Sequence, residues 1–300
     1  MALRIAIVGP GRVGTAFAKQ LAGGRAAFLG FVGRDPAHVQ RALQQVGAGR
    51  ALSHAELRAA HVVVFAVGDG ELAAAVRSLA ASAPPRPCSL WLHTSGRFGL
   101  EVFDGVPGCR RGALHPVAPF ADPSNDPVGD PMAGPVGRRS AVAGARAPAL
   151  VESGPGSRRL LHVLCDLLAL QAIDWPGGDR TLYHAACALA ANGLTALWAQ
   201  AEAVFAAAGL PVAAARRLCA SLVPAAAALC QDLGPVEALS GPVRRGDAAT
   251  VLAHRQRLAS AVPAVGPSYQ TLMLAALQLA RSAGLPEERA AAVRAALTEP

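Results

Sequence analysis

The chain has 300 residues, 52% of them hydrophobic and 16% charged, with 28 basic against 20 acidic side chains and a formal charge of +8. So large an apolar share offsets the entropy of ordering and excludes a disordered chain, and the length suits two domains better than one. Aromatics are only 4%, so Ala, Leu and Val must fill the core; Lys19 is the sole lysine, which excludes a Schiff-base or general-acid lysine anywhere else.

The first 120 residues alternate strand and helix signals. Arg4 to Val8 is a short apolar run that enters a glycine-rich turn, and Thr15 to Leu21 follows as helix. Ala27 to Val32 is a second apolar run, closed by Gly33-Arg34-Asp35-Pro36, and His38 to Val46 reads as helix. His61 to Val67 has strand composition, Glu71 to Ala81 is helical, and Ser89 to His93 and Gly112 to Leu114 are further strands. Continuous apolar strands alternating with helices predict a parallel sheet covered on both faces, an α/β doubly wound architecture.

Residues 121–157 are rich in Pro and Gly, which excludes a long helix and leaves room for short strands near Ser140 to Ala143 and Ala149 to Glu152. From Arg158 onward strand signals give way to Ala/Leu-rich helices: Arg158 to Leu170, Arg180 to Ala208, Val212 to Leu233, Asp247 to Leu258, Ser268 to Ala283 and Glu287 to Leu297. Gly209 and Gly284 fall just past helix ends and Pro286 at a helix start. The expected division is 1–157 for the α/β domain and 158–300 for a helical domain. The nearly all-apolar helix 180–208 is expected to be buried on all sides, in a bundle or at a subunit interface.

The strongest motif is Gly9-Pro10-Gly11-Arg12-Val13-Gly14, placed between a strand and a helix. In such a turn the first glycine permits the bend, the second lets backbone approach a diphosphate, and the third lets helix and strand pack closely. Amides at the helix start then face the phosphates. Past the second strand, Arg34 suits the 2′-phosphate of NADP, whereas Asp35, one residue later, leaves NAD as the competing reading. Arg12 is a further candidate for a phosphate contact. Ligands gather at the carboxyl ends of parallel strands, which adds Ala66, Val67 and Asp69 after the third strand and Thr94 and Ser95 after the fourth. His93 and His115 also fall at strand ends.

In the helical half, Arg180, His184, Ala188 and Asn192 recur every four residues and share one face, with Tyr183 beside them. A polar stripe on an apolar helix must meet a substrate, a partner or a buried network. The loop Ser240 to Asp247 leads into a helix carrying His254; Asp247 reads as its N-cap, and Arg245 is a candidate to clamp a carboxylate. Tyr269 is the other late hydroxyl.

The six cysteines, Cys88, Cys109, Cys165, Cys187, Cys219 and Cys230, form no C-x-x-C pair, so a metal knuckle is excluded and no metal site is expected. No charged leader and apolar signal core open the sequence, and the apolar stretch Val62 to Val67 falls far short of the ~20 residues that span a bilayer. A cytoplasmic protein with free thiols and no membrane is the expectation. The arginines come as scattered dyads with almost no interleaved aromatics, so no nucleic-acid partner is expected.

GPGRVGTAF, VVFAVGDGEL, HTSG, LHPVAPF, YHAACALAAN and LSGPVRRGD, followed by His254, occur in this order along nearly the whole chain. Together they resemble a family of two-domain oxidoreductases in which a Rossmann-like domain is fused to a helical domain of unknown function. The resemblance implies a C-terminal domain like that of 6-phosphogluconate dehydrogenase and a homodimer formed mainly through the helices. The wider superfamily includes ketopantoate reductase, β-hydroxyacid dehydrogenases and pyrroline-5-carboxylate reductase. Its hydroxyacid enzymes carry a lysine four residues before an asparagine on the long helix; here that position is Ala188, so their catalytic scheme does not transfer. The family's usual Ser-Asn is Ala191-Asn192 here.

The combined expectation is an NADPH-dependent reductase of a small carbonyl or imine compound, one bearing a carboxylate such as a 2-oxo acid. Its alternatives are a ketopantoate 2-reductase and a non-catalytic NADP-binding protein. With lysine excluded, His184 is the favoured proton donor, with His115 and Tyr183 as the others. Asn192 is expected to orient the substrate oxygen, and Arg245 to hold the carboxylate.

Overall fold

A computed structural model describes residues 2–118 and 146–299; the strand expected near Ser140 to Ala143 lies outside the described residues. Compact packing divides the chain into residues 1–189 and residues 190–300.

The first unit is built on one eight-stranded sheet in the order β3-β2-β1-β4-β5-β6-β7-β8. Its strands are β1 Arg4–Val8, β2 Ala27–Val32, β3 Arg50–Ala51, β4 Val62–Phe65, β5 Leu90–His93, β6 Arg110–Pro116, β7 Ala147–Ser153 and β8 Leu170–Asp174. Strands β1 to β6 are parallel; β7 runs antiparallel to β6, and β8 runs parallel to β7. The sheet is thus mostly parallel, with one reversal that the sequence did not announce. Helices α1 Arg12–Ala22, α2 Pro36–Val46 and α3 Asp69–Ser82 connect the early strands, and α4 Arg158–Leu167 and α5 Arg180–Ala188 follow β7 and β8.

Alternation along the strands sends side chains to two cores. Ile5, Ile7, Phe31, Val62, Val64, Leu90, Leu92, Leu114 and Val151 share one face with Phe17 and Leu21 of α1 and Leu161 and Leu164 of α4. Ala6, Val8, Val63, Phe65 and Trp91 share the other with Leu72, Val76 and Leu79 of α3 and with Phe103. Each large side chain removed from water in this way contributes roughly 1.5–3 kcal/mol. Burial on both faces is why these strands read as unbroken apolar runs.

Two expectations for the middle of the chain are corrected. The helix expected over Arg158 to Leu170 stops at Leu167, and β8 follows it. No glycine or proline marks the break in Leu167-Leu168-Ala169-Leu170; Ala169 itself turns the chain with a left-handed φ of 55°. Helix α4 and β8 therefore pack within the α/β unit, beyond residue 157. The helix expected over Arg180 to Ala208 is α5, a π turn at Leu189–Gly193 and α6 Leu194–Ala207. Neither α5 nor α6 has a buried residue, so the expected burial on all sides is absent from a single chain.

The second unit is helical, with α6, α7 Val212–Leu233, α8 Pro235–Ala238, α9 Pro242–Arg245, α10 Ala248–Ala261, α11 Gly266–Ser282 and α12 Glu287–Thr298. Its core gathers Val243, Val251, Leu277, Ala280, Leu285, Val293 and Leu297. Among the described residues, α7 alone is long and apolar enough by composition to cross a membrane.

At the end of β1, Gly9 has a φ of 100° and a Cβ there would stand 2.5 Å from the Ala66 carbonyl oxygen; on Gly14 it would stand 2.1 Å from that of Gly9. On Gly11 the nearest atom would be 3.9 Å away. Gly14→Ala is therefore expected to destabilise the fold by ~1–3 kcal/mol, the usual cost of overpacking, with Gly11→Ala within ~0.5 kcal/mol of the parent. Urea unfolding midpoints check both.

Candidate functional site

The glycine-rich turn is fixed from several sides. The Gly9 amide donates to the Val32 carbonyl at 2.9 Å, the Ala66 amide to the Val8 carbonyl at 2.8 Å, and the Thr15 hydroxyl to the Pro10 carbonyl at 3.1 Å. Helix α1 starts at Arg12 with Gly11 as its N-cap; no side chain caps its first amides and no acidic residue lies in its first turn. Uncapped amides at a helix start are donors for an anion. Arg12 is exposed and Val13 half-buried.

Past β2, Arg34 is 85% exposed and pairs with Glu71 of α3. Asp35 is the N-cap of α2, its Oδ1 accepting from the Ala37 amide at 2.9 Å. The two residues left as competitors by the sequence thus have different employment: Asp35 is spent on its helix, whereas the Arg34 guanidinium is held only at the surface. Ala66 is buried at the end of β4, and Asp69 opens α3. After β5, the Thr94 hydroxyl faces the Phe65 carbonyl at 3.5 Å, and Ser95 Oγ accepts from the amides of Arg97 and Phe98 at 3.1 and 3.3 Å.

Sheet register lines up the chemistry. Val8 pairs with Phe65, Phe65 with His93, His93 with Ala113, and Ala113 with Glu152. His93 is wholly buried, stacks on Phe103 at 5.7 Å, and its Nε2–H donates to the Gly99 carbonyl at 2.9 Å. Its Nδ1 is enclosed with no partner. Two residues past Ala113, His115 meets helix α5: its Nδ1 and the Tyr183 hydroxyl are 2.6 Å apart, and its ring lies edge-on to His184 at 6.5 Å. Gly96 makes room for this imidazole, since a Cβ there would lie 2.9 Å from His115 Nε2. In the sequence the signal for Gly96 is its place in the small-residue run His93-Thr94-Ser95-Gly96.

Burial pushes the His93 imidazole down to about 4, with the Arg180 charge adding to the effect. Burial also pushes His115 down to about 4, helped by His184 and Arg180. Tyr183 moves the other way: burial, then its contact with Cys187, raises the phenol well above its ordinary value, so it keeps its proton. Helix α5 begins after Asp179, which accepts from the amides of Thr181 and Leu182 at 2.7 and 3.0 Å. Arg180 pairs with Glu152, and its guanidinium lies 4.7 Å over the Trp175 ring. The structure therefore brings Arg180, Tyr183, His184 and His115 together within the first unit.

Asn192 belongs to the second unit, where it lies exposed on the π turn. Arg245 ends α9, also exposed, and its carbonyl accepts from Arg289 at 3.4 Å. Asp247 is the N-cap of α10, as expected: it accepts from the Thr250 amide at 3.0 Å and hydroxyl at 2.7 Å. His254 Nδ1 and the Tyr269 hydroxyl are 3.0 Å apart. Among the described residues no group of three His, Cys, Asp or Glu is placed to hold a metal.

The neutral imidazoles make stability pH-dependent. An unfolded histidine titrates near 6.5, so on acidification the unfolded chain takes up protons before the folded one. Stability is expected to be whole above pH 6.5 and to be lost as pH falls from 6.5 to about 4. Urea midpoints across this range check it, and His115→Gln is expected to make the loss shallower.

Residues 1–118 match the model of a Rossmann-like domain, and residues 147–276 match a domain of unknown function, DUF2520. No curated protein matches the chain in sequence. Solved structures do match in fold. A candidate NADP oxidoreductase from Bacteroides fragilis is 21% identical with a TM-score of 0.71, over 92% of this chain and 98% of that one. A reductive aminase from Aspergillus terreus, in complex with NADPH and ethyl levulinate, is 17% identical with a TM-score of 0.62, over 98% and 99%. A pyrroline-5-carboxylate reductase from Coxiella burnetii is 12% identical with a TM-score of 0.57, over 95% and 100%. At these identities the likeness is one of fold. The chain thus joins a Rossmann-like domain to a DUF2520 domain.

Proposed function

We propose that the chain is an NADPH-dependent oxidoreductase that reduces a small carbonyl or imine compound bearing a carboxylate, such as a 2-oxo acid. The observation that carries this is the unequal demand on the three glycines. Gly9 and Gly14 are compelled by the chain's own backbone; around Gly11 no protein atom would come closer than 3.9 Å to a Cβ. A glycine at that position, beside uncapped helix amides, suits a diphosphate approaching the main chain. The NADPH bound to the Aspergillus terreus reductive aminase, which shares the fold, supports the same cofactor class here. Arg34 favours NADPH over NADH, because Asp35 already serves as a helix cap.

Bound NADPH would supply a hydride to the carbonyl or imine carbon. The chain's task is to protonate the oxygen or nitrogen. Lys19 is the only lysine and lies on α1, so we assign this proton to His184. His115 and Tyr183 form the hydrogen-bonded pair beside it: His115 stays neutral and Tyr183 stays protonated.

A homodimer fits the exposed leucines of α7. Leu218, Leu222, Leu229 and Leu233 all face solvent and fall within about 60° of one helix face at 100° per residue. All six cysteines are unpaired, which suits a cytoplasmic protein. We assign no nucleic-acid or membrane partner. The second reading, an NADP-binding protein without catalysis, rests on Ala188 at the position where the hydroxyacid enzymes carry lysine.

Arg34→Ala is expected to weaken NADPH binding about 10- to 100-fold, as loss of a charge-assisted phosphate contact does, while NADH binding barely changes. Equal losses for both cofactors would remove Arg34 from the phosphate. His184→Gln is expected to lower turnover about 10²- to 10⁴-fold, the range for losing a general acid. A variant with near-parental turnover on the same substrate would shift the proton to another group.

A further inference from the structure

Arg180 is the first residue of α5, and its side chain is only 10% exposed. One nitrogen, Nη2, reaches Glu152, whose own side chain is a quarter exposed. The planar guanidinium is set over Trp175. The other two nitrogens, Nε and Nη1, are enclosed and have no acceptor. An arginine cannot shed its charge as a buried lysine can, so enclosed N–H groups without acceptors are a standing cost to the fold. Such a cost is sensible when an anion arrives to remove it.

The position decides which anion. The diphosphate site follows β1 and the candidate 2′-phosphate site follows β2, on the far side of β1 from Arg180. Glu152 stands on β7, four strand steps from β1 through β4, β5 and β6. At ~4.8 Å per step that is about 19 Å, beyond the reach of a diphosphate held at Gly11. The neighbours are instead the proton-handling residues: Tyr183 and His184 share α5 with Arg180, and the charge of Arg180 is felt at His93 and His115.

We propose that Arg180 binds the carboxylate of the substrate, taking the role the sequence suggested for Arg245. A carboxylate oxygen is a charged acceptor for these donors; Nε–H and Nη1–H point to different edges of the guanidinium, so an oxygen meets one of them singly rather than both in a fork. Trp175 is a positioning residue that fixes the guanidinium plane, whereas Glu152 is a carboxylate that competes for the cation at Nη2. The assignment deepens the reductase reading and rests on it for the reaction, though binding of the acid is measurable without turnover.

The test is a titration of the full-length protein with pyruvate and phenylpyruvate, and with the methyl ester of each, followed by tryptophan emission, since Trp175 lies against the guanidinium. The acids are expected to saturate the parent, and the esters to bind about ten-fold or more weakly, the loss of a charge-assisted pair. Arg180→Gln is expected to weaken both acids about ten-fold or more and to leave the esters unchanged. Should that variant fold poorly, Glu152→Gln provides an independent arm: it removes the competing carboxylate and is expected to tighten the acids several-fold. The proposal is overturned if neither acid saturates the parent, if acid and ester bind alike, or if Arg180→Gln or Glu152→Gln leaves acid binding unchanged. The two readings fail separately. If the protein does not bind NADPH but still distinguishes acid from ester, the reductase reading falls and the anion site stands. If hydride passes to methyl pyruvate as readily as to pyruvate, the anion site falls and the reductase reading stands.

Discussion

The close approach of helix α1 to the turn that starts it is the contact on which the rest depends. Gly14 lies so near the Gly9 carbonyl that no side chain fits between them, and Gly9 in turn presses against Ala66 at the end of β4. These two contacts hold the start of α1 over the carboxyl edge of the sheet. The Thr15 hydroxyl, bonded to the Pro10 carbonyl, keeps the turn from relaxing outward. Helix amides aimed along that edge follow from packing alone, before any ligand is considered.

Parallel register then carries the same edge sideways. Val8, Phe65, His93 and Ala113 stand in one row, and the reversed strand β7 adds Glu152 to it. The reversal matters chemically. It places an acidic side chain in line with a row that otherwise carries no carboxylate, and that carboxylate is what Arg180 grips. Burial at this row keeps His93 and His115 neutral and Tyr183 protonated, so the only permanent cation of the cluster is a guanidinium with donors to spare.

Much of this was legible in the sequence, and the exceptions have physical causes. The strands β1, β2, β4 and β5 announced themselves because burial on both faces keeps their interior positions apolar. Gly9, Gly11 and Gly14 were readable because their order between a strand and a helix has a mechanical meaning. Strand β8 was missed because Leu167-Leu168-Ala169-Leu170 contains only helix formers, and the turn is made by an alanine with a positive φ. The break after α5 was missed because a π turn needs no breaker residue. Arg180 was recognised as part of a polar stripe, but its pairing with Glu152 depends on the β7 reversal, which no local pattern encodes. Arg245, the sequence's candidate for the carboxylate, ends α9 exposed in the second unit.

The most direct measurement of the central claim is equilibrium binding of NADPH to the purified protein, followed by nicotinamide fluorescence and by the shift in melting temperature. The account predicts saturable one-to-one binding, a raised melting temperature and a weaker response to NADH. A protein whose fluorescence and melting temperature are indifferent to both nicotinamide coenzymes would contradict it, because the turn between β1 and α1 would then hold no diphosphate.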